Sequence, residues 1–264
     1  MKYGFIIRNV TDLRSRPDFK SERKNQLLYN EPVVIKSSRN GYAEISQADG
    51  YSGWVDEKAI CLTSKSAYRD FIKAASVLIK SATCNVINID NKSSFPRYLF
   101  YGTRLCPVRR QGRFLIVKNT GGGKFRILYN KQRPFGQKMS SINGRILVRE
   151  AGKFIGTPYL WGGMTPFGFD CSGFVKLIMR SFGIELPRDS KDQARVGEKI
   201  SRDKIKAGDL LFFTGHVALA VDKDKIIHAS LGEGGVAVNS LNPSDGDFRQ
   251  DLQETFIQAR RMIP

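Results

Sequence analysis

The residue that most constrains this chain is Cys171, which lies where a segment that cannot be helical gives way to one that can. Residues 156–174 read G-T-P-Y-L-W-G-G-M-T-P-F-G-F-D-C-S-G-F. The glycines and prolines up to Gly168 rule out a continuous helix. Phe174, Val175, Leu177, Ile178, Met179 and Phe182 then recur at helical spacing until Gly183 stops the pattern. Cys171 therefore opens a helix, with Asp170 or Ser172 as its cap. At a helix start the unpaired backbone N–H groups and the dipole favour a thiolate, the nucleophilic form of cysteine.

A nucleophilic cysteine needs a base and a group to orient that base. The chain holds two histidines, His216 in G-H-V-A-L-A-V and His228 in K-I-I-H-A-S, twelve residues apart and both after the cysteine. Each of the three alone is more often structural than chemical, but together in this order they point to catalysis. The two segments read as strands of a hairpin about Asp222-Lys223-Asp224. Side chains alternate faces along a strand, so a three-residue turn pairing Val221 with Lys225 puts both imidazoles on one face. A four-residue turn would separate them unless a bulge intervened.

These pieces, G-T-P-Y-L-W-G-G, D-C-S-G-F and the two histidine segments, resemble the NlpC/P60 family of cysteine peptidases, which cleave peptidoglycan stem peptides. The resemblance covers about residues 140–264. It implies Cys171 as nucleophile, His216 as general base, His228 as the orienting group, and no cofactor. The element order agrees: helices near Ile146–Ile155, after Cys171 and around Ser190–Val196, then strands at 208–213, 216–221, 225–230 and 256–263. This is an α+β arrangement of papain-like layout, with the nucleophile's helix on an antiparallel sheet.

Residues 3–62 carry short strand-like runs at Phe5–Ile7, Gln26–Tyr29, Pro32–Ile35, Tyr42–Ile45 and Ser52–Val55, separated by turn formers, which indicates a small barrel. D-L-R-S-R-P, S-E-R-K-N-Q-L-L-Y-N-E-P-V and D-G-Y-S-G-W-V resemble a bacterial SH3 (SH3b) domain. A degraded repeat follows at an offset of about 72 residues: Leu28-Tyr29-Asn30 aligns with Phe100-Tyr101-Gly102, Asn40-Gly41-Tyr42 with Gln111-Gly112-Arg113, and Trp54 with Phe125. The expected organisation is multidomain, with an SH3b domain at 1–62, a linker at 63–80, a degraded SH3b-like barrel at 81–138 and the peptidase domain at 139–264. In the linker Tyr68, Phe71, Ile72, Ala75 and Ile79 fit a helix, and a buried strand competes. Gly121-Gly122-Gly123-Lys124 reads as a hairpin turn rather than a phosphate-binding loop, because no helix signal follows it.

In the SH3b-bearing branch of the family, similar to γ-D-glutamyl-L-diamino acid endopeptidases, the SH3b domain walls off the groove and selects peptides with a free N-terminal L-alanine. By motif match Tyr159 lines the nucleophile's pocket. Asp170 and Ser172 hold the bound dipeptide's backbone and amino end, and Glu22 and Tyr51 are the matches to the amine-binding positions. An amidase or acyltransferase on the same cysteine scaffold, or a wall-binding protein, are the competing readings. The intact Cys171, His216 and His228 set disfavours the last.

The formal charge of +18 is uneven: residues 1–145 carry 27 Lys and Arg against 10 Asp and Glu. Such a field attracts anionic partners, whether nucleic acid, anionic lipid or anionic wall polymers, and beside the peptidase resemblance the expected ones are wall polymers rather than nucleic acid. Cys61, Cys84 and Cys106 read as small buried hydrophobes, and no clustered ligands suggest a metal site. No window is apolar enough for a membrane span, and Met1-Lys2-Tyr3-Gly4 leads into a strand without the apolar core of a signal peptide. The chain as written is expected in the cytoplasm, or outside it if a leader has been removed.

Overall fold

The computed structural model describes residues 1–89, 96–135 and 142–263. They fall into two compact units, one ending at residue 136 and the other beginning at residue 137. The expected boundary at 138/139 lies outside the described residues. Among those residues no helix is long and apolar enough to cross a membrane.

The first unit begins with β1 (Lys2–Ile6), β2 (Val10–Arg14), β3 (Arg23–Leu28), β4 (Pro32–Arg39), β5 (Tyr42–Ser46), β6 (Ser52–Asp56) and β7 (Ile60–Thr63). They form one antiparallel sheet in the order β3-β2-β6-β5-β4-β1-β7. Alternation sends Val33, Ile35, Ala43, Ile45 and Val55 inward with Leu13 and Leu27. Strand β2 escapes sequence reading because three of its five residues, Thr11, Asp12 and Arg14, are polar. Its Asp12 is held there by Arg14 at 2.8 Å and Arg23 at 2.7 Å.

The linker resolves into both of its competing forms. Ser64 caps α1 (Lys65–Ala74) by accepting from the Ala67 amide at 3.2 Å, and Phe71 packs with Phe5, Ala75 and Cys106. The chain then turns into β8 (Val77–Ile79), where Leu78 and Ile79 are buried. There follow β9 (Thr83–Asn85), β10 (Ile87–Asn88), β11 (Tyr98–Phe100), β12 (Arg104–Gln111), β13 (Phe114–Lys118), β14 (Lys124–Leu128) and β15 (Gln132–Pro134).

Strands β12, β13 and β14 start and end 72 residues after β4, β5 and β6. The correspondence reaches irregular features, which pattern alone would not produce. Register shifts occur between Ile35 and Ser37 and again between Pro107 and Arg109. Left-handed residues Asn30 and Asn40 recur as Gly102 and Gly112. One detail of the expected alignment is corrected: Phe125 occupies the place of Gly53, and Arg126 that of Trp54. Phe125 points into the core, whereas a side chain at Gly53 would collide with Leu13 and the Arg14 carbonyl. Residues 119–123 form the β13–β14 turn, with Asn119 Oδ1 accepting from the Gly123 amide at 2.7 Å.

The second unit contains α2 (Gly144–Ala151), β16 (Met164–Thr165), β17 (Gly168–Phe169), α3 (Cys171–Arg180), α4 (Ser190–Gln193), β18 (Glu198–Ile200), β19 (Leu210–Phe213), β20 (His216–Ala220), β21 (Lys225–Ser230), β22 (Gly235–Ser240), α5 (Gln250–Glu254) and β23 (Phe256–Arg261). The antiparallel sheet runs β18-β23-β19-β20-β21-β22, and α3 packs against β20 and β21. Residues 172–179 of α3 are all buried, including Lys176, whose ammonium donates to the Leu186 carbonyl.

The hairpin takes the three-residue turn. Leu219 pairs with Ile227, Ala220 with Ile226, and the Val221 amide donates to the Lys225 carbonyl at 2.7 Å. This register sets Ala218 opposite His228 and places His216 and His228 on one face. Strand β22, absent from the expected elements, pairs along the whole of β21, with Ala237 opposite His228.

Candidate active site

Cys171 is the first residue of α3, and Asp170 is its cap, accepting from the Gly173 amide at 2.6 Å. The preceding loop closes onto this helix start through the Gly162 amide, which donates to Asp170 Oδ2 at 2.9 Å. Glycine is required on both sides of that contact. Gly162 has a φ of 72°, and a Cβ on Gly173 would lie 2.3 Å from the Gly163 carbonyl oxygen.

Asp170 does more than cap. Arg188, buried to 2% exposure, reaches its carboxylate with Nη2 at 2.5 Å and Nη1 at 3.1 Å, and Nη1 also donates to Ser172 Oγ at 2.8 Å. Asp170 and Ser172 are therefore buried members of one ion-paired network beneath the cysteine. A charge this deep is tolerated because its partner and the surrounding amides satisfy it. Tyr159 is tied to the β21–β22 loop by its amide, which donates to the Gly234 carbonyl at 2.9 Å. Its phenol is pushed up to about 12 by burial, with the neighbouring Cys171 and Asp170 adding to the effect.

The two histidines meet: His216 Nε2 lies 2.7 Å from His228 Nδ1. His228, fully buried, places its Nε2 2.8 Å from Asn239 Oδ1. The amide nitrogen of Asn239 donates to Glu233 Oε1 at 3.4 Å, and Arg249 holds Glu233 at 2.7 Å. With both imidazoles neutral, these contacts select one tautomer of each. Because Asn239 gives its N–H to Glu233, its oxygen accepts from His228 Nε2–H. His228 Nδ1 must then accept from His216 Nε2–H, which leaves His216 Nδ1 as the nitrogen able to take a proton.

The Cys171 thiol lies against the backbone amide of Val217, the residue after His216. The resting thiol is not the thiolate that a helix start alone would favour. Burial pushes it up to about 11, with Asp170 adding to this, and the amides of Val217 and Ser172 and the Arg188 charge offset part of it. Burial likewise brings His216 down to about 3, helped by His228 and Arg249. His228 is also lowered by burial, against the bond to Asn239. Near neutrality Cys171 is therefore a thiol and His216 a neutral imidazole. Such a pair acts by passing the sulfur's proton to the imidazole as the sulfur attacks, while the backbone amides at the helix start meet the negative charge that develops.

No sequence motif singles out Asn239, Glu233, Arg249 or Arg188. The available signal for Asn239 was a polar residue interrupting the apolar G-V-A-V run of a strand. In the first unit, Glu22 is exposed, and Tyr51 packs against the β1–β7 core with the Lys24 ammonium 4.8 Å from its ring.

Comparison with known proteins agrees with this geometry. Dipeptidyl-peptidase 6 of Lysinibacillus sphaericus is 30% identical over 270 residues, covering 96% of this chain and 97% of that protein. The chain belongs to the NlpC/P60 family. The NlpC/P60 profile matches residues 156–252, which contain Cys171, both histidines and Asn239, and a bacterial dipeptidyl-peptidase SH3 domain matches residues 13–60. A γ-D-glutamyl-L-lysine dipeptidyl-peptidase of Bacillus cereus is 29% identical over 260 residues, covering 91% of this chain and 75% of that protein. The crystal structure of an NlpC/P60 family protein from Bacillus cereus shares the fold, with a TM-score of 0.87 at 23% identity over 99% of this chain and 100% of that one. As an NlpC/P60 member this chain is a cysteine peptidase with an SH3 domain ahead of the peptidase domain.

Proposed function

We propose that the protein hydrolyses the bond between γ-D-glutamate and an L-diamino acid in peptidoglycan stem peptides whose N-terminal L-alanine is free. The observation that carries this reading is coverage. The relatives named dipeptidyl-peptidase 6 and γ-D-glutamyl-L-lysine dipeptidyl-peptidase align along nearly the whole chain, the SH3 part included, rather than along the peptidase domain alone.

In this reading Cys171 attacks the γ-carbonyl of D-glutamate, His216 Nδ1 takes the thiol proton, and the leaving amine receives it as the acyl-enzyme forms. Water, deprotonated by the same nitrogen, then releases the dipeptide. His228 holds His216 in the required tautomer. Tyr159 lines the pocket, and Asp170 and Ser172 serve the dipeptide's backbone and amino end. Glu22 and Tyr51 are assigned to recognition of the free amine, where a carboxylate facing an ammonium would reward the unblocked peptide. Residues 81–138 are read as a second, diverged SH3b barrel, supported by the 72-residue correspondence of strands and register shifts. The peptidase domain is read as papain-like, with 139–264 as its extent.

The test is to incubate the protein with L-Ala-γ-D-Glu-L-Lys and its meso-diaminopimelate counterpart and to identify products by mass spectrometry. Release of L-Ala-γ-D-Glu from either, absent in Cys171→Ala, is the expected result. Cleavage between L-Ala and D-Glu, or no cleavage of either, would contradict it.

A further inference from the structure

The excess positive charge of the first unit is concentrated in its second β module. Residues 76–135 hold 12 Lys and Arg and a single acidic residue, Asp90, whereas residues 1–62 hold 10 basic and 8 acidic residues. The 72-residue correspondence allows the two modules to be compared position by position on the same strands. Where β4, β5 and β6 carry Ser37, Ser38, Ser46 and Ser52, strands β12, β13 and β14 carry Arg109, Arg110, Lys118 and Lys124. All four basic residues are exposed. The scaffold tolerates serine at these places, so the cations are not there to build the fold.

Lys118 stands directly opposite Lys124 across the β13–β14 ladder, where the first module pairs Ser46 with Ser52. Ile116 faces Arg109 on one side and Arg126 on the other, so cationic positions recur across three adjacent strands. In the first module the corresponding ladder residue is Glu44, which accepts from Ser37 Oγ at 2.8 Å.

We propose that the exposed cations of residues 104–128 bind a linear polymer of repeated phosphodiesters without bases, of the poly(alditol phosphate) kind found in cell walls. The state of the aromatic rings favours this over nucleic acid. Proteins that hold single strands leave aromatic faces open for base stacking. Here the Arg110 guanidinium lies 4.2 Å from the Tyr129 ring centre, and Arg126 and Arg113 lie 4.6 Å and 5.2 Å from that of Phe114. The rings hold guanidinium planes by their faces and leave N–H edges for phosphate oxygens. Retention on such a polymer would hold the enzyme where its peptides are released.

The test uses the full-length protein and purified poly(glycerol phosphate), with affinity measured across a salt series. The main variant carries Arg109→Ser, Arg110→Ser, Lys118→Ser and Lys124→Ser, the residues of the first module. A control of equal charge change carries Arg8→Ser, Lys36→Ser, Arg39→Ser and Lys58→Ser, all exposed in the first module. Thermal melting and peptidase activity verify that both variants fold. The wild type should bind with an affinity that falls steeply with salt. The main variant should bind at least about tenfold more weakly near 0.1 M salt, with a log–log slope shallower by about three, taking roughly 0.7–0.9 per lost phosphate contact. The control should stay within about threefold of wild type. Equal loss in both variants, no binding by the wild type, or tighter binding of a single-stranded oligonucleotide of matched charge would overturn the proposal.

Discussion

The two central clusters of the first unit are apolar: Leu13, Leu27, Val33, Ile45 and Val55 in one, and Leu99, Leu105, Val117, Phe125 and Ile127 in the other. The ionic residues of that unit lie largely on its surface. The second unit runs polar groups through its interior, in the Asp170–Arg188 pair and the His216–His228–Asn239 chain. Burial makes each polar contact stronger and each unpaired group costlier. The contrast separates a unit suited to recognition at its surface from one whose interior is arranged to move a proton. Substitutions in the two units should therefore fail differently, the second through chemistry or folding and the first through affinity.

The largest expected effect is on turnover. Cys171→Ala and His216→Ala should each remove measurable hydrolysis, a loss of at least about a thousandfold, while leaving the fold intact. Turnover retained by either variant would break the comparison at its strongest point.

Arg188→Ala should act on stability. It leaves Asp170 buried without its cation, and breaking such a pair typically costs about 3–5 kcal/mol. Chemical denaturation would measure it, and a cost below 1 kcal/mol would show that the helix-start amides alone satisfy the carboxylate.

Asn239→Ala should lower kcat by about tenfold to a hundredfold with little change in KM, because it frees the tautomer of His228 without touching the peptide, and an orienting group contributes less than the base itself. Asn239→Gln, if its amide reaches the same partners, should recover part of the loss. A change confined to KM would assign Asn239 to substrate binding instead.

Acid should expose the buried imidazoles. His216 titrates near 3 when folded and at about 6.5 when unfolded, so the unfolded state takes up the proton first. Its contribution is absent above pH 6.5, and destabilisation grows as pH falls from there toward 3. Between pH 7 and pH 5 wild type should lose about 2 kcal/mol more than His216→Asn, from roughly 1.4 kcal/mol per pH unit per proton. Equal losses in denaturation at the two pH values would place His216 in a solvated setting.

Several of these groups were legible in the sequence because local pattern carries them. The helical run after D-C-S-G-F fixes Cys171 at a helix start, and alternation narrows the two histidines to a shared face if the turn has three residues, the register that the structure takes. Asn239 and Arg188 were not, since an amide or guanidinium takes its role from partners brought together by the fold: Asn239 meets His228 only because β22 pairs with β21. The state of the thiol escapes the sequence for a similar reason. A helix start is visible in sequence, whereas the burial that opposes it is a property of the packed site. In the first unit the repeat was legible from turn residues, but β2 was hidden by an aspartate whose ion pairs are tertiary.

In the proposed function the SH3-containing unit selects the free amine while the peptidase unit performs the cut. The direct measurement is kcat/KM for L-Ala-γ-D-Glu-L-Lys against the same peptide with its alanine N-acetylated, in wild type and in Glu22→Gln. The account predicts that wild type cleaves the free peptide and leaves the acetylated one essentially untouched. It further predicts that Glu22→Gln lowers kcat/KM for the free peptide by about tenfold to a hundredfold, narrowing the preference. Equal cleavage of the two peptides by wild type would contradict the account and point to an endopeptidase acting on intact wall.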